Sequence, residues 1–153
     1  MKPKNMNRTV LNQKFNIDVI CELKNNTSSF YSFLQNQNDG IIIFVLEKLG
    51  RLENSNSYEP LLKLLDSQNE TIRSLSIKNL AKIKNSNLLS IFIKYAINDE
   101  STEVRREAVS AIGRQRDLKA IPALIDFLND KDPKVVMQAI RGLLVFPDRS
   151  EIK

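Results

Sequence analysis

Ser101–Arg114, STEVRREAVSAIGR, and Ala120–Leu144, AIPALIDFLNDKDPKVVMQAIRGLL, decide the fold. In the first stretch Val104, Ala108, Val109 and Ile112 recur at spacings of three and four. In the second, Val135, Ala139, Ile140 and Leu143 repeat that pattern at the same intervals. Such spacing gathers apolar side chains on one face of a helix. Leu124, Phe127 and Leu128 mark a shorter helix just ahead, so the second stretch reads as a helical hairpin.

Working outward, the same register runs back towards the N-terminus. One period before Val104 stands Ile72, with Ser76, Ile77 and Leu80 following. One period earlier again stands Ile41, with Val45, Leu46 and Leu49. The first helices align as Phe30, Phe33, Leu34; Leu61, Leu64, Leu65; Ile93, Ala96, Ile97; and Leu124, Phe127, Leu128. A period of 31–32 residues means stacked supersecondary units, because one hairpin cannot bury its apolar stripe alone.

Local chemistry agrees with the period. Asn38, Asn69, Ser101 and Asp132 share one register position ahead of each second helix. All four are favoured N-cap types, whose side-chain oxygens accept bonds from the first helical amides. Pro133 follows the last cap, and Pro60 and Pro122 mark starts of first helices, where a missing N–H costs nothing. Gly50, Ala81, Gly113 and Leu144 align at the far end, where small residues allow close helix approach. Upstream, the period degrades to Val10, Phe15 and Val19, with Lys14 and Asp18 at core positions. Residues 8–24 therefore read as a capping helix or helix pair.

These segments closely resemble HEAT repeats, above all the short HEAT-like class named after phycobilisome lyases. The matching features are a Pro-led first helix ending in Leu, an Asp-x-Asp-Pro-like turn, then Val-Arg and an Ala-rich helix ending in Leu-Gly. The third and fourth units fit best, the second keeps Ile72-Arg73, and the first, with Gly40-Ile41-Ile42, departs most. The resemblance implies an all-α, right-handed α-solenoid of four HEAT-like hairpins with an N-terminal helical cap. The expected organisation is a tail and cap over 1–27, hairpins over 28–52, 58–84, 87–115 and 120–146, and a fifth unit's start or a tail over 147–153. Leu143, Leu144, Val145 and Phe146 are expected at an open end. A longer protein, a partner or a second copy would cover it. Similar helix repeats occur attached to bacterial DNA-modification enzymes, so the resemblance also implies a restriction–modification methyltransferase as one setting.

Composition bounds the function. Apolar content of 42% and charged content of 27% are those of an ordinary globular chain of 153 residues. The net charge of +5 is concentrated in residues 77–153, with 14 Lys/Arg against 10 Asp/Glu, where residues 1–76 carry 9 against 8. That excess permits an anionic partner without requiring one. One cysteine, Cys21, in an apolar run excludes an internal disulfide and suits a reducing compartment. With no apolar run of membrane-spanning length and no signal-peptide core, a cytoplasmic protein is expected.

Catalysis finds no foothold in the residues. There is no histidine, so no Ser/His or Cys/His nucleophile pair exists, and a zinc site is not expected. Four glycines, at 40, 50, 113 and 142, cannot build a phosphate loop. The HEAT-like DNA glycosylases use tryptophan and tyrosine around an acid, and this chain has no tryptophan. A lyase activity would rest on a repeat name alone. The expectation is a protein with no catalytic residues, no cofactor and no metal.

Three residue sets remain as candidates. Arg73 and Arg105 share a register position, with Asp66, Asp99 and Asp130 in the neighbouring turns, and read as a structural ladder of Arg forks. Arg51, Lys82 and Arg114 form a column that Lys78, Arg106 and Arg141 extend into a basic stripe, interrupted by Glu47, Glu103 and Glu107. The resemblance places these second helices on a concave surface. Two readings stand: matching of helix C-terminal dipoles, or a track for phosphates acting through counterion release. Ile43, Phe44, Leu75 and Met137 form a third set, either an apolar path for a partner helix or residues partly buried between units. The expected function is a binding and scaffolding module for a protein partner or attached domain. The alternative is a DNA-docking module.

Overall fold

A computed structural model of the chain describes Leu34, residues 38–50 and residues 58–146. The cap expected over 1–27, most of the first helix of the first hairpin, Arg51 and residues 147–153 lie outside the described residues. The chain divides into two compact units, Met1–Gly50 and Arg51–Lys153. Among the described residues all regular structure is helical.

In the first unit, α1 (Asp39–Lys48) buries Ile42, Val45 and Leu46, and Leu34 and Leu49 are buried as well. Asn38 caps α1, its Oδ1 accepting the Ile41 N–H at 3.0 Å. The lone acid of the first turn, Asp39, and the base of the last, Lys48, both oppose the helix dipole favourably.

The second unit holds three hairpins: α2 (Glu59–Leu64) with α3 (Glu70–Leu80), α4 (Asn87–Asn98) with α5 (Thr102–Gln115), and α6 (Ile121–Asp126) with α7 (Pro133–Leu144). Within each hairpin the two helices pack together, and successive second helices pack as α3 on α5 and α5 on α7. Asn69, Ser101 and Asp132 cap α3, α5 and α7 as their residue types require. Pro60 and Pro122 stand in the first turns of α2 and α6. A seam of Ile72, Ser76, Ile77, Leu80, Val104, Ala108, Val109, Ile112, Val135 and Ala139 is fully buried. The Ser76 hydroxyl is tolerated there because it donates to the Ile72 carbonyl at 2.7 Å.

The first helices correct the expected register by one residue. Phe92, not Ile93, is the fully buried equivalent of Leu61 and Leu124. The step from Leu61 to Ile72 equals that from Leu124 to Val135, but the step from Phe92 to Val104 is one residue longer. The extra residue has a physical origin in how each first helix ends. After α2, the amides of Leu65, Asp66 and Ser67 bond carbonyls three residues back, and after α6 Phe127–Asn129 forms a 3-10 turn. A 3-10 turn rises about 2.0 Å per residue against about 1.5 Å in an α-helix, so it needs fewer residues for the same span. Helix α4 stays α-helical to its end, with the Asp99 N–H bonding the Tyr95 carbonyl. Consequently Ile97, expected in the core, is turned to solvent, and Leu88, Leu89 and Phe92 take its place. Leu128, turned out of the 3-10 segment, is also exposed.

Helices α5 and α7 meet at two glycines. A Cβ on Gly113 would lie 2.9 Å from the Gly142 Cα, closer than backbone can accept, and one on Gly142 would press on Leu124 at 3.1 Å. The small-residue position at Gly113 thus does permit close approach, but its partner is Gly142 and not the aligned Leu144.

Candidate functional site

The Arg ladder is built from the turns between paired helices. Arg73, on α3, forks onto Asp99 with Nε at 2.9 Å from Oδ2 and Nη2 at 3.0 Å from Oδ1. Its Nη1 also donates to the Ser67 and Gln68 carbonyls. The hydrogen bond to Asp99 is the main reason the Arg73 guanidinium holds its proton above the ordinary range. One hairpin on, buried Arg105 donates through Nη1 to the Asp99 and Glu100 carbonyls, and its Nε lies 3.6 Å from Asp130. Asp99 and Asp130 also accept bonds from their own turns, from the Ser101 and Asp132 amides. The ladder therefore satisfies turn carbonyls and joins consecutive hairpins. Asp66 does not belong to it. Its carboxylate faces the Tyr95 hydroxyl, whose pKa is raised first by burial and then by Asp66 and Asp99.

The basic residues come together differently from the expected stripe. Lys82, Lys84, Arg114, Arg116 and Arg141 line one groove of about 550 Å³, floored by Gly113 and Gly142 and completed by Ser110, Gln138 and Val145. Among the described residues no carboxylate lines it. Lys84 donates to the Arg114 carbonyl at 2.6 Å, and Gln115 donates to the Ile83 carbonyl at 3.2 Å, which ties the turn after α3 to the end of α5. Arg116 ends α5 in the left-handed region, at φ 52°. Burial, with Lys78 and Arg114 nearby, lowers the Lys82 pKa.

Three members of the expected stripe leave it. Arg106 is engaged by Glu103 one turn away and borders a neighbouring hollow with Lys134, Met137, Gln138 and Arg141. Lys78 is exposed and does not line the groove. Arg51 lies outside the described residues. The helix pattern does not single out Lys84 and Arg116, because both fall beyond helix ends. The period itself is a signal that could find them, since they stand as far apart in the chain as Lys82 and Arg114 do.

The apolar set is likewise divided. Ile43 and Phe44 are half-buried on α1 in the first unit, with the Lys48 ammonium 5.5 Å from the Phe44 ring centre. Leu75 is half-buried on α3, and Met137 alone of the four is exposed. Met137 instead joins Ile140 and Leu144 on one face of α7, three apolar side chains that are all open to solvent. Of the residues expected at an open end, Leu144 and Val145 are exposed, Leu143 is half-buried and Phe146 is buried.

Among the described residues no group of His, Cys, Asp or Glu could hold a metal ion, and no helix is long and apolar enough to cross a membrane. A family model for HEAT repeats matches residues 89–151, from the first turn of α4 through α7. That segment is therefore similar to HEAT repeats, a class that generally mediates protein–protein interaction or scaffolding. No curated protein matches the chain.

Proposed function

We propose that the chain is a non-catalytic, cytoplasmic binding and scaffolding module whose ligands are proteins. The observation that carries this reading is the exposed apolar face of α7, which continues a seam buried in the preceding second helices. The similarity of residues 89–151 to HEAT repeats supports it. The Pro-led first helix and the Asp-x-Asp-Pro turn of the last hairpin favour the short, phycobilisome-lyase-type class of those repeats. Turnover of any substrate by the purified chain, lost on a single point change, would contradict the reading.

A second reading is favoured by the groove of five cations lined by no described carboxylate. It makes the module a docking surface for nucleic acid, serving an attached DNA methyltransferase or nuclease. Titration of a labelled short duplex at two salt concentrations separates the readings. Each phosphate contacted adds about 0.9 to the slope of log K against log salt. The protein-binding reading expects weak affinity, little altered by Arg114→Glu with Arg141→Glu. Tight, steeply salt-dependent binding that this double change abolishes would favour nucleic acid.

A further inference from the structure

Two register positions at the far ends of the second helices carry paired cations. Lys82 and Lys84 follow α3, and one period on Arg114 and Arg116 stand at the end of α5. Both pairs line the groove of about 550 Å³, and both belong to hairpins that a further hairpin follows. Stacking of α5 on α3 and of α7 on α5 thus leaves these positions uncovered. Lys84, Arg114 and Arg116 are exposed and Lys82 is half-buried.

The pairs do not continue along the chain. One period before Lys82 and Lys84 stand Arg51 and Glu53, and one period after Arg114 and Arg116 stand Val145 and Pro147. Arg141, one turn earlier on α7, supplies the fifth cation of the groove. The charge is therefore gathered over two hairpins and the edge of a third, which suits a bounded site better than a track along every repeat.

Matching of helix dipoles explains only part of this cluster. Lys84 donates to the Arg114 carbonyl at the end of α5, and Lys82 Nζ donates to Asn79 Oδ1 at 2.8 Å. The guanidinium groups of Arg114, Arg116 and Arg141 meet no acceptor among the described residues. Burial, followed by Lys78 and Arg114, lowers the Lys82 pKa, so the cluster repels itself.

The lining selects the anion. A guanidinium fork fits carboxylate and phosphate oxygens alike. A carboxylate brings one charge and a single phosphate about two at neutral pH, against the five cations here. Ala81 and Val145 are the only apolar side chains listed along the groove apart from the stems of its cations, and no described aromatic ring lines it. A peptide finds little anchorage on such a lining, and a nucleobase finds no stacking partner. Ser110 and Gln138 add neutral donors for further oxygens. The volume falls within the range of small-molecule sites.

We propose that this groove binds a compact oligophosphate, a ligand with a run of linked phosphates whose charges Lys82, Lys84, Arg114, Arg116 and Arg141 neutralise together. The proposal stands apart from the protein-binding reading, and it gives the groove a small ligand in place of a nucleic-acid strand. The linked phosphates come either as a free inorganic chain or as the phosphate arm of a nucleotide.

Calorimetric titration of the full chain with sodium tripolyphosphate, at fixed ionic strength, tests the site. One equivalent should bind at least about tenfold more tightly than orthophosphate and raise the melting temperature. Arg114→Gln with Arg141→Gln should lower that affinity about tenfold or more, through the loss of charge-assisted bonds. Lys63→Gln with Lys119→Gln removes the same charge outside the groove and should leave the affinity unchanged. All four positions are exposed, and a cooperative circular-dichroism melt verifies folding of each variant. ATP is the second arm: affinity equal to that of tripolyphosphate points to a nucleotide's phosphate arm and weaker affinity to a free chain, and either supports the site. Orthophosphate binding as tightly, or equal losses in the two double variants, would overturn it in favour of diffuse attraction. Absence of tripolyphosphate binding would also overturn it. Duplex DNA that still binds through Arg114 and Arg141 would then leave the nucleic-acid reading standing, and failure of both ligands would end both while leaving the protein-binding reading untouched.

Discussion

Phe92→Ala is expected to lower the free energy of unfolding by about 3–5 kcal/mol, the range for truncating a large buried aromatic. Ile93→Ala, one residue further on and only half-buried, should cost well under half as much. The contrast follows from geometry. Phe92 is fully buried and lies in register with Leu61 and Leu124, whereas Ile93 has turned towards the helix flank. Leu124→Ala should fall in a similar range, about 2–5 kcal/mol. Urea unfolding followed by far-ultraviolet circular dichroism, with the slope unchanged, reads these differences directly. Equal losses at 92 and 93 would mean that α4 is rotated from the orientation described.

Arg105→Ala is expected to have the next largest effect, about 2–3 kcal/mol, because each buried acceptor left without its donor costs about 1–3 kcal/mol. Arg105 is 5% exposed. Its guanidinium satisfies the Asp99 and Glu100 carbonyls and faces Asp130. Truncation leaves these oxygens without their donor inside the hairpin junction, and the cost lies mainly in that loss. Asp130→Asn should be much milder. Its amide oxygen can still accept the Asp132 N–H that Asp130 Oδ1 now binds at 2.8 Å, while the ion pair it loses is long at 3.6 Å. A large effect from Asp130→Asn and a small one from Arg105→Ala would assign the ladder's stability to the ion pair and not to the carbonyl bonds.

These two residues also illustrate what the sequence carries. Arg105 is legible as a structural fork because the repeat places Arg73 at the same position, and short polar turns supply carbonyls to any guanidinium there. The caps at Asn38, Asn69, Ser101 and Asp132 are legible because capping is a local property of residue type. Phe92 is not, because the count of residues between paired helices depends on whether the first helix ends in an α or a 3-10 turn. Apolar spacing in a helix as hydrophobic as NLLSIFIKYAIN offers several candidate faces. The role of Asp66 escapes the sequence for a related reason: a shared register position says which turn a carboxylate occupies, not which neighbour it faces.

The candidate surface divides along the same line. Arg114 and Arg141 can be read as members of a basic surface from helical position alone. Lys84 and Arg116 depend on turns whose course is set by the Lys84 bond to the Arg114 carbonyl and by the left-handed conformation at Arg116. The apolar face of α7 is legible as a helical stripe and reads as core, because periodicity records an apolar position without recording whether a successor covers it. By sequence Ile140 looks like Ile77 and Val109, and in the folded chain it differs from both.

Thiol labelling measures that difference. With Cys21→Ser as background, cysteine is introduced singly at positions 77, 109 and 140, and its reaction with a small thiol reagent is timed under native conditions. The Ile140→Cys thiol is expected to react at close to the rate of an unfolded thiol, while Ile77→Cys and Val109→Cys react only as fast as the fold opens. Protection at position 140 equal to that at position 109 would contradict an open face on α7.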